Sequence, residues 1–249
     1  LDSEMQASMN YINNGLRHRV KLIRHPSCLG DGIRSILDAM IEDARPTFGT
    51  ACVLAGGRGR RMEGRDKLHI EFAGQRLLAR IATSLRTRFD DLVAISSRTE
   101  AFDGLGYRVV PDEIPDGGPL VGLLTALKHS ASDWVYLVAC DMPFFAPDWV
   151  DRLSADIDAS VAAGRHPVAA AARSGPFFEP FHAFYHVDLA GYIEVALGAG
   201  TKPPSIQSVL RPHEMVLIDN VERYSEGQRL FVNLNTPDDI IEAERISGI

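Results

Sequence analysis

Apolar positions along this chain follow two rhythms. Short, nearly continuous runs recur at Ala51-Cys52-Val53-Leu54, Leu92-Val93-Ala94-Ile95, Val109-Val110 and Trp134-Val135-Tyr136-Leu137-Val138-Ala139, the density expected of strands buried on both faces. Between the runs the apolar residues step by three and four, as in Leu77, Leu78, Ile81 and Leu85, which puts them on one side of a helix. Taken in order, the pattern predicts strands at 51–54, 91–95, 107–110, 134–139 and 167–172, with helices at 76–85, 121–128 and 148–162. Farther on it predicts an extended segment within 177–186, a helix at 187–197 and short strands at 214–218 and 231–233. Strand and helix in alternation imply an α/β fold: a mostly parallel, Rossmann-like sheet with helices on both faces, three layers in all. In such a sheet ligands bind beyond the carboxyl ends of the strands. The residues just past 51–54 and 134–139 therefore share one rim.

The chain divides near residue 48. Residues 49–249 carry the alternation. Residues 1–48 open with a polar stretch and then place Ile33, Ile36, Leu37, Met40 and Ile41 at helical spacing, an amphipathic helix that needs a surface to cover.

Composition narrows the function. With 249 residues, 45% of them hydrophobic and 24% charged, the chain can bury a full core. A formal net charge of −7 argues against broad binding to nucleic acid or anionic membrane. Cys28, Cys52 and Cys140 lack a C-x-x-C spacing, which favours reduced core thiols over disulfides or a zinc site. No stretch approaches the length of a transmembrane helix and no secretory pattern opens the chain, so a cytoplasmic location is expected.

One stretch runs against the acidic balance. Positions 54–67 hold four glycines, four arginines and a lysine. Glycines let the backbone N–H groups approach an anion, and the cations neutralise charge that the backbone dipoles only partly balance. The pattern is neither the Walker loop nor the dinucleotide fingerprint, since Gly57-Arg58-Gly59 is followed by Met62 where the latter needs glycine. A phosphate-rich small ligand is implied. Asp141 ends the strand at 134–139 beside it, and a nucleoside triphosphate brings Mg²⁺, which typically takes one or two protein carboxylates together with phosphate oxygens. A second carboxylate, Asp112, precedes the turn Gly117-Gly118-Pro119-Leu120-Val121-Gly122, whose stiff backbone can meet a base edge. His182 and His186 have a helical metal-pair spacing, but on a strand they stand roughly 13 Å apart.

Leu54, Ala55, Gly56, Gly57, Arg61, Met62, Asp66 and Lys67 together resemble the signature L-A-G-G-x-x-x-R-M-x-x-x-D-K of the nucleotidyltransferases that handle molybdopterin and sugar phosphates. Gly-Pro-Leu-Val-Gly at 118–122, Cys-Asp-Met-Pro at 140–143 and Asn-Leu-Asn-Thr-Pro at 233–237 resemble the corresponding motifs of the molybdenum cofactor guanylyltransferases, a MobA-like family. The resemblance covers about residues 50 to 249. It implies a nucleotidyltransferase fold and transfer of GMP from GTP to molybdopterin with release of pyrophosphate. On it, Leu54, Ala55, Gly56, Gly57, Arg58 and Lys67 hold the nucleotide, with Asp112, Gly118, Pro119, Leu120 and Gly122 on its base side. Arg61, Lys67 and Asp141 become catalytic, Asp141 holding Mg²⁺. Asn233, Asn235 and the Glu179 region face the acceptor. Molybdenum-insertion proteins and recipient molybdoenzymes are the protein partners implied. The match departs at Ile95-Ser96-Ser97-Arg98, where several relatives place an asparagine, and Ser96 or Ser97 stands in its stead. Residues 1–48 have two readings, a remnant of a fused transferase-like unit or an unrelated extension supplying one helix. Two other functions stay open: a nucleotidyltransferase using CTP on molybdopterin or a nucleotide on a sugar phosphate, and a non-catalytic pterin-binding scaffold.

Overall fold

The computed structural model describes residues 46–55, 66–112, 114, 117–200 and 203–248. The amphipathic helix expected at 33–41 lies outside them, and the first strand, β1, spans Phe48–Leu54. A small antiparallel hairpin follows, β2 (Glu71–Phe72) and β3 (Gln75–Arg76). The remaining strands are β4 (Asp91–Ile95), β5 (Arg108–Val110), β6 (Trp134–Ala139), β7 (Ala169–Ser174), β8 (Phe177–Phe178), β9 (Ala183–His186) and β10 (Met215–Ile218). Helices are α1 (Leu77–Leu85), α2 (Gly118–Lys128), α3 (Pro147–Ala162), α4 (Leu189–Gly198), α5 (Ile206–Leu210) and α6 (Pro237–Ser247).

The main sheet runs β10-β7-β9-β6-β1-β4-β5. Strands β5, β4, β1 and β6 are mutually parallel, β9 is antiparallel to both its neighbours, and β7 and β10 are parallel again. Strand neighbours therefore sort by period. Ala51, Val53, Leu92, Ala94, Tyr136 and Val138 join one buried cluster with α1 and α3. Cys52, Val93, Ile95, Val135 and Leu137 join the other with α2, α4 and α5. Each fully buried leucine of α1 contributes roughly 2 kcal/mol, which matters because a nine-residue helix does not stand alone in water. α2 is buried along nearly its whole length between the sheet and α4, so its residues read as a continuous apolar run.

Two segments depart from their sequence patterns. The extended segment within 177–186 resolves into β8, which folds back on β7, and β9, which inserts between β6 and β7; His182 breaks it with a φ of 52°. Residues 231–233 are not a strand. A 3-10 helix over Gly227–Phe231 ends there, and Leu230 within it and Leu234 after it are both buried in the core. The Leu234 amide then bonds the Asp141 carbonyl at 2.8 Å, bringing the C-terminal segment onto the rim of β6.

Candidate active site

Strand order reverses between β1 and β6, since β1 leads to β4 on one side and pairs with the later β6 on the other. A crevice opens at such a switch point. Leu54 pairs with Ala139, the Cys140 amide bonds the Leu54 carbonyl at 3.1 Å, and the Ala55 amide bonds the Ile95 carbonyl at 3.1 Å. Those bonds fix both strand ends side by side and leave Asp141 next on the rim. Lys67 reaches it across 74 residues of chain: Nζ donates to Asp141 Oδ2 at 2.6 Å and to Asn235 Oδ1 at 3.1 Å. The lysine and aspartate side chains are 23% and 14% exposed, enough cover to strengthen the pair and enough opening for a ligand.

Lys67 sits on a short 3-10 helix, Lys67–His69, capped by Asp66, whose Oδ1 accepts from the Leu68 amide at 3.1 Å. Asn235 arrives from the other end of the chain. The Asp239 carboxylate accepts from the Asn235 and Thr236 amides, each at 2.8 Å, while Thr236 caps α6 in return. This reciprocal capping fixes where α6 begins, and so where Asn235 points.

The β4–β5 side forms a second wall. Gly118 opens α2 at a φ of 77°, a conformation that favours glycine. A Cβ on Gly122 would lie 3.0 Å from Leu54 Cδ2 and 3.6 Å from Asp112 Oδ1, so its lack of a side chain lets α2 approach β1. Leu120 turns into the core, whereas Gly118 and Pro119 are exposed. Asp112 Oδ1 is buried with no hydrogen-bond partner among the described residues, and burial holds this carboxyl above its ordinary range. Ser96, beside it on the rim, donates its amide to Val110 and accepts from the Arg98 amide at 3.1 Å.

The structure thus brings together Leu54, Ala55, Lys67, Asp112, Gly122, Asp141 and Asn235. Gly56, Gly57, Arg58 and Arg61 lie outside the described residues. Asn233 is exposed and its side-chain amide turns back to the Phe231 carbonyl at 3.3 Å. Glu179 follows β8 and its amide pairs with Ala172 of β7, two strands from β6. The histidines do not pair: His182 is buried with Nδ1 3.0 Å from the Tyr136 hydroxyl, and burial lowers it to about 3, so it is neutral, while His186 faces Asp188 at 3.3 Å. Cys52 and Cys140 are free and buried, and desolvation raises both thiols, Cys140 to about 12, which makes them poor nucleophiles. Sequence reasoning missed Arg98 as a partner of Asp66, 32 residues earlier. No spacing rule links them.

Residues 51–216 match the MobA-like NTP transferase domain. The molybdenum cofactor guanylyltransferase of Syntrophotalea carbinolica is 37% identical over 194 residues, which span 77% of this chain and 89% of that protein. The chain belongs to the MobA-like NTP transferase family, among the molybdenum cofactor guanylyltransferases. This MobA-like transferase is also 32% identical over 190 residues to the molybdenum cofactor guanylyltransferase of Shewanella frigidimarina, over 76% of its own length and 91% of the other. Its fold is similar to that of molybdopterin-guanine dinucleotide biosynthesis protein A from Archaeoglobus fulgidus, with a TM-score of 0.65 at 24% identity, covering 80% of this chain and 98% of that one. No helix among the described residues is long and apolar enough to cross a membrane.

Proposed function

We propose that this MobA-like transferase joins GMP from GTP to the terminal phosphate of molybdopterin in the cytoplasm, releasing pyrophosphate. The observation that carries the reading is the convergence of Lys67, Asp141 and Asn235 at the switch point between β1 and β6. An oxygen of the acceptor phosphate attacks the α-phosphorus of GTP. The new P–O bond forms as the bond to the bridging oxygen of the β-phosphate breaks, and pyrophosphate leaves in line. Such a transfer asks the protein for alignment and charge stabilisation rather than for a nucleophilic side chain.

Lys67 is the cation for the charge that grows on the α-phosphoryl and leaving pyrophosphate. Arg61 serves the same charge, and the amides of Gly56 and Gly57, with Arg58, hold the triphosphate, the Ala55 amide being already taken by the Ile95 carbonyl. Asp112, Gly118, Pro119 and Gly122 wall the guanine, with the unpartnered Asp112 oxygen available to a base or ribose donor. Leu120, although in the same motif, acts only by packing α2. Asn233 and Glu179 are assigned to the acceptor side. The donor set fits Mg²⁺: among the described residues no three His, Cys, Asp or Glu side chains gather into an all-protein metal cage, but Asp141 is a rim carboxylate of the kind that holds Mg²⁺ with phosphate oxygens and water. When bound there, the ion would polarise the phosphoryl oxygens.

Calorimetric titration with GTP and with CTP, each with Mg²⁺, tests the nucleotide. GTP should bind more tightly, and tighter CTP binding removes the guanylyl assignment. Pyrophosphate release should then require molybdopterin, GTP and Mg²⁺ together; its absence would favour a scaffold. Asp141→Asn should weaken Mg²⁺-dependent GTP binding, and an unchanged Mg²⁺ requirement rejects the role of Asp141.

A further inference from the structure

The helix that carries Lys67 is only three residues long, too short to fix its own orientation. Its fixings come from outside. On the site side they are Asp141 and Asn235, groups that substrate and metal will compete for. Beyond these, two arginines tie the turn to the segment that follows β4. Arg98 pairs with both oxygens of Asp66, Nη2 to Oδ1 at 2.7 Å and Nη1 to Oδ2 at 2.5 Å. Arg76, at the head of α1, donates to the Ala101 carbonyl at 2.6 Å and reaches the Leu68 carbonyl at 3.5 Å. The same Asp66 caps the turn through the Leu68 amide and meets His69 Nδ1 at 2.9 Å.

We infer that Arg98 is a positioning residue for nucleotidyl transfer: through its two-pronged pair with Asp66 it fastens the Lys67 turn to the carboxyl end of β4. This rests on the reading of Lys67 given under Proposed function. Three features support it. The base of Arg98 is anchored, because its amide donates to Ser96 Oγ and the Ser96 amide donates to Val110, so the side chain transmits the position of the rim. Asp66 takes the end-on fork of the guanidinium, one N–H from each Nη atom, so a phosphate could claim that fork only by releasing the turn, the Nε–H and outer N–H groups being left over. The pair is also well exposed, with side chains at 44% and 32%. An exposed ion pair adds little to global stability, and the expected effect of breaking it lies in where Lys67 stands. The Asp66 carboxyl, held down to about 2 chiefly by Arg98, stays charged throughout the neutral range, so protonation does not break the pair there.

The test uses the full chain carrying Asp66→Asn, Arg98→Gln, Arg98→Lys or the first two together. Asp66→Asn keeps an oxygen for the Leu68 amide, removes the charge pair and puts an amide NH2 where Oδ2 meets Arg98 and His69. With GTP, Mg²⁺ and molybdopterin, each of Asp66→Asn and Arg98→Gln should lower kcat roughly 10- to 100-fold with KM for GTP changed less than about 3-fold. The double variant should be no worse than the poorer single, the signature of two residues acting as one. Arg98→Lys, which keeps the charge and one hydrogen bond, should recover at least about a third of the lost rate. Independently of turnover, the rate at which an amine-reactive acetylating reagent modifies Lys67, read by mass spectrometry, should rise about 3-fold or more in both single variants while that of Lys128 stays constant. Additive losses, a raised KM at constant kcat, or unchanged Lys67 labelling each overturn the inference. If the wild-type chain releases no pyrophosphate from GTP, the functional reading fails, and the labelling still decides whether Arg98 positions Lys67.

Discussion

The two ends of the sheet both carry polar networks, built to opposite rules. At the amino ends of β1 and β6, Thr50, Ser130 and Ser132 are buried and closed on one another: the Thr50 amide donates to Ser132 Oγ at 2.9 Å, Thr50 Oγ1 to Asp91 at 3.0 Å, Ser130 Oγ to the Ser132 carbonyl and Ser132 Oγ to the Trp134 carbonyl, both at 2.7 Å. Arg108 covers Asp91 and the His129 carbonyl, each at 2.8 Å. At the carboxyl ends, Asp112 keeps a buried oxygen without a partner among the described residues, and Lys67 shares itself between Asp141 and Asn235. A satisfied network holds strands in register, whereas an unsatisfied one keeps free energy for a ligand to collect. The same sheet thus separates stability at one end from chemistry at the other.

Removing the central cation gives the largest effect. Lys67→Ala should cut pyrophosphate release by roughly a thousandfold or more, the scale for losing a charge-stabilising group, while thermal unfolding shifts by no more than a few degrees. A variant that unfolds, or one that turns over normally, abolishes the contrast between the ends. The mirror experiment is Thr50→Val. It strips a hydrogen bond from Asp91 and leaves the Ala131 amide, now bonded to Thr50 Oγ1 at 3.2 Å, without its acceptor. Urea unfolding should show a loss of about 1–3 kcal/mol. Since Thr50 lies four residues below Leu54, about 13 Å along the strand, kcat should stay within a factor of two. A stable Thr50→Val protein with impaired turnover would mean that the two ends are coupled.

Much of this division was legible in the chain. Runs such as Cys52-Val53-Leu54 and Val135 to Ala139 announce strands buried on both faces, and the residue that ends a parallel strand must lie on the rim, so Lys67's neighbourhood and Asp141 could be set together before any coordinates. The two asparagines were harder. Asn233 and Asn235 are spaced to share one face of an extended chain, yet the segment leaves a 3-10 helix that ends at Phe231, the Asn233 side-chain amide turns back onto the Phe231 carbonyl, and of the two only Asn235 reaches Lys67. The Asp66–Arg98 pair was illegible for another reason: charges far apart in sequence meet only when turn and strand are both placed, and Arg98 stood in a stretch where the family resemblance lapsed.

Acid should distinguish the ends by a smaller amount. Asp66 has a folded value of about 2 against an ordinary 3.8, held down by Arg98 first and then by the Leu68 amide and His69. A lowered carboxyl contributes stability that is present above the unfolded value and is lost as pH falls through the folded one. The wild type should therefore exceed Asp66→Asn by about 1 kcal/mol or less near pH 6, after allowing for the exposure of the pair, and the gap should close as pH falls from about 4 towards 2. The difference is read from paired urea midpoints. Thr50→Val measured alongside provides the control, because its deficit comes from neutral as well as charged bonds and should survive at pH 3. A gap between wild type and Asp66→Asn that does not depend on pH would show that the Asp66 charge has no part in holding the turn.

The smallest effect has the opposite sign. Burial raises the Asp112 carboxyl, so the folded state retains a proton at pH values where the unfolded chain has lost it. Stability then falls as pH climbs from the unfolded value through the folded one, and at neutral pH the charged carboxylate is a standing cost. Asp112→Asn keeps the shape, removes the charge and supplies a donor, and should raise stability slightly at pH 7, with no gain at pH 3. The same substitution should raise KM for GTP, because a charged group that only accepts would be replaced by a neutral amide with a single acceptor oxygen. A stabilised protein with a poorer nucleotide site is the trade expected of an acid kept for its ligand. An Asp112→Asn protein that is less stable at pH 7, with GTP binding unchanged, would place Asp112 among the structural groups of the lower end and move the boundary between the two networks.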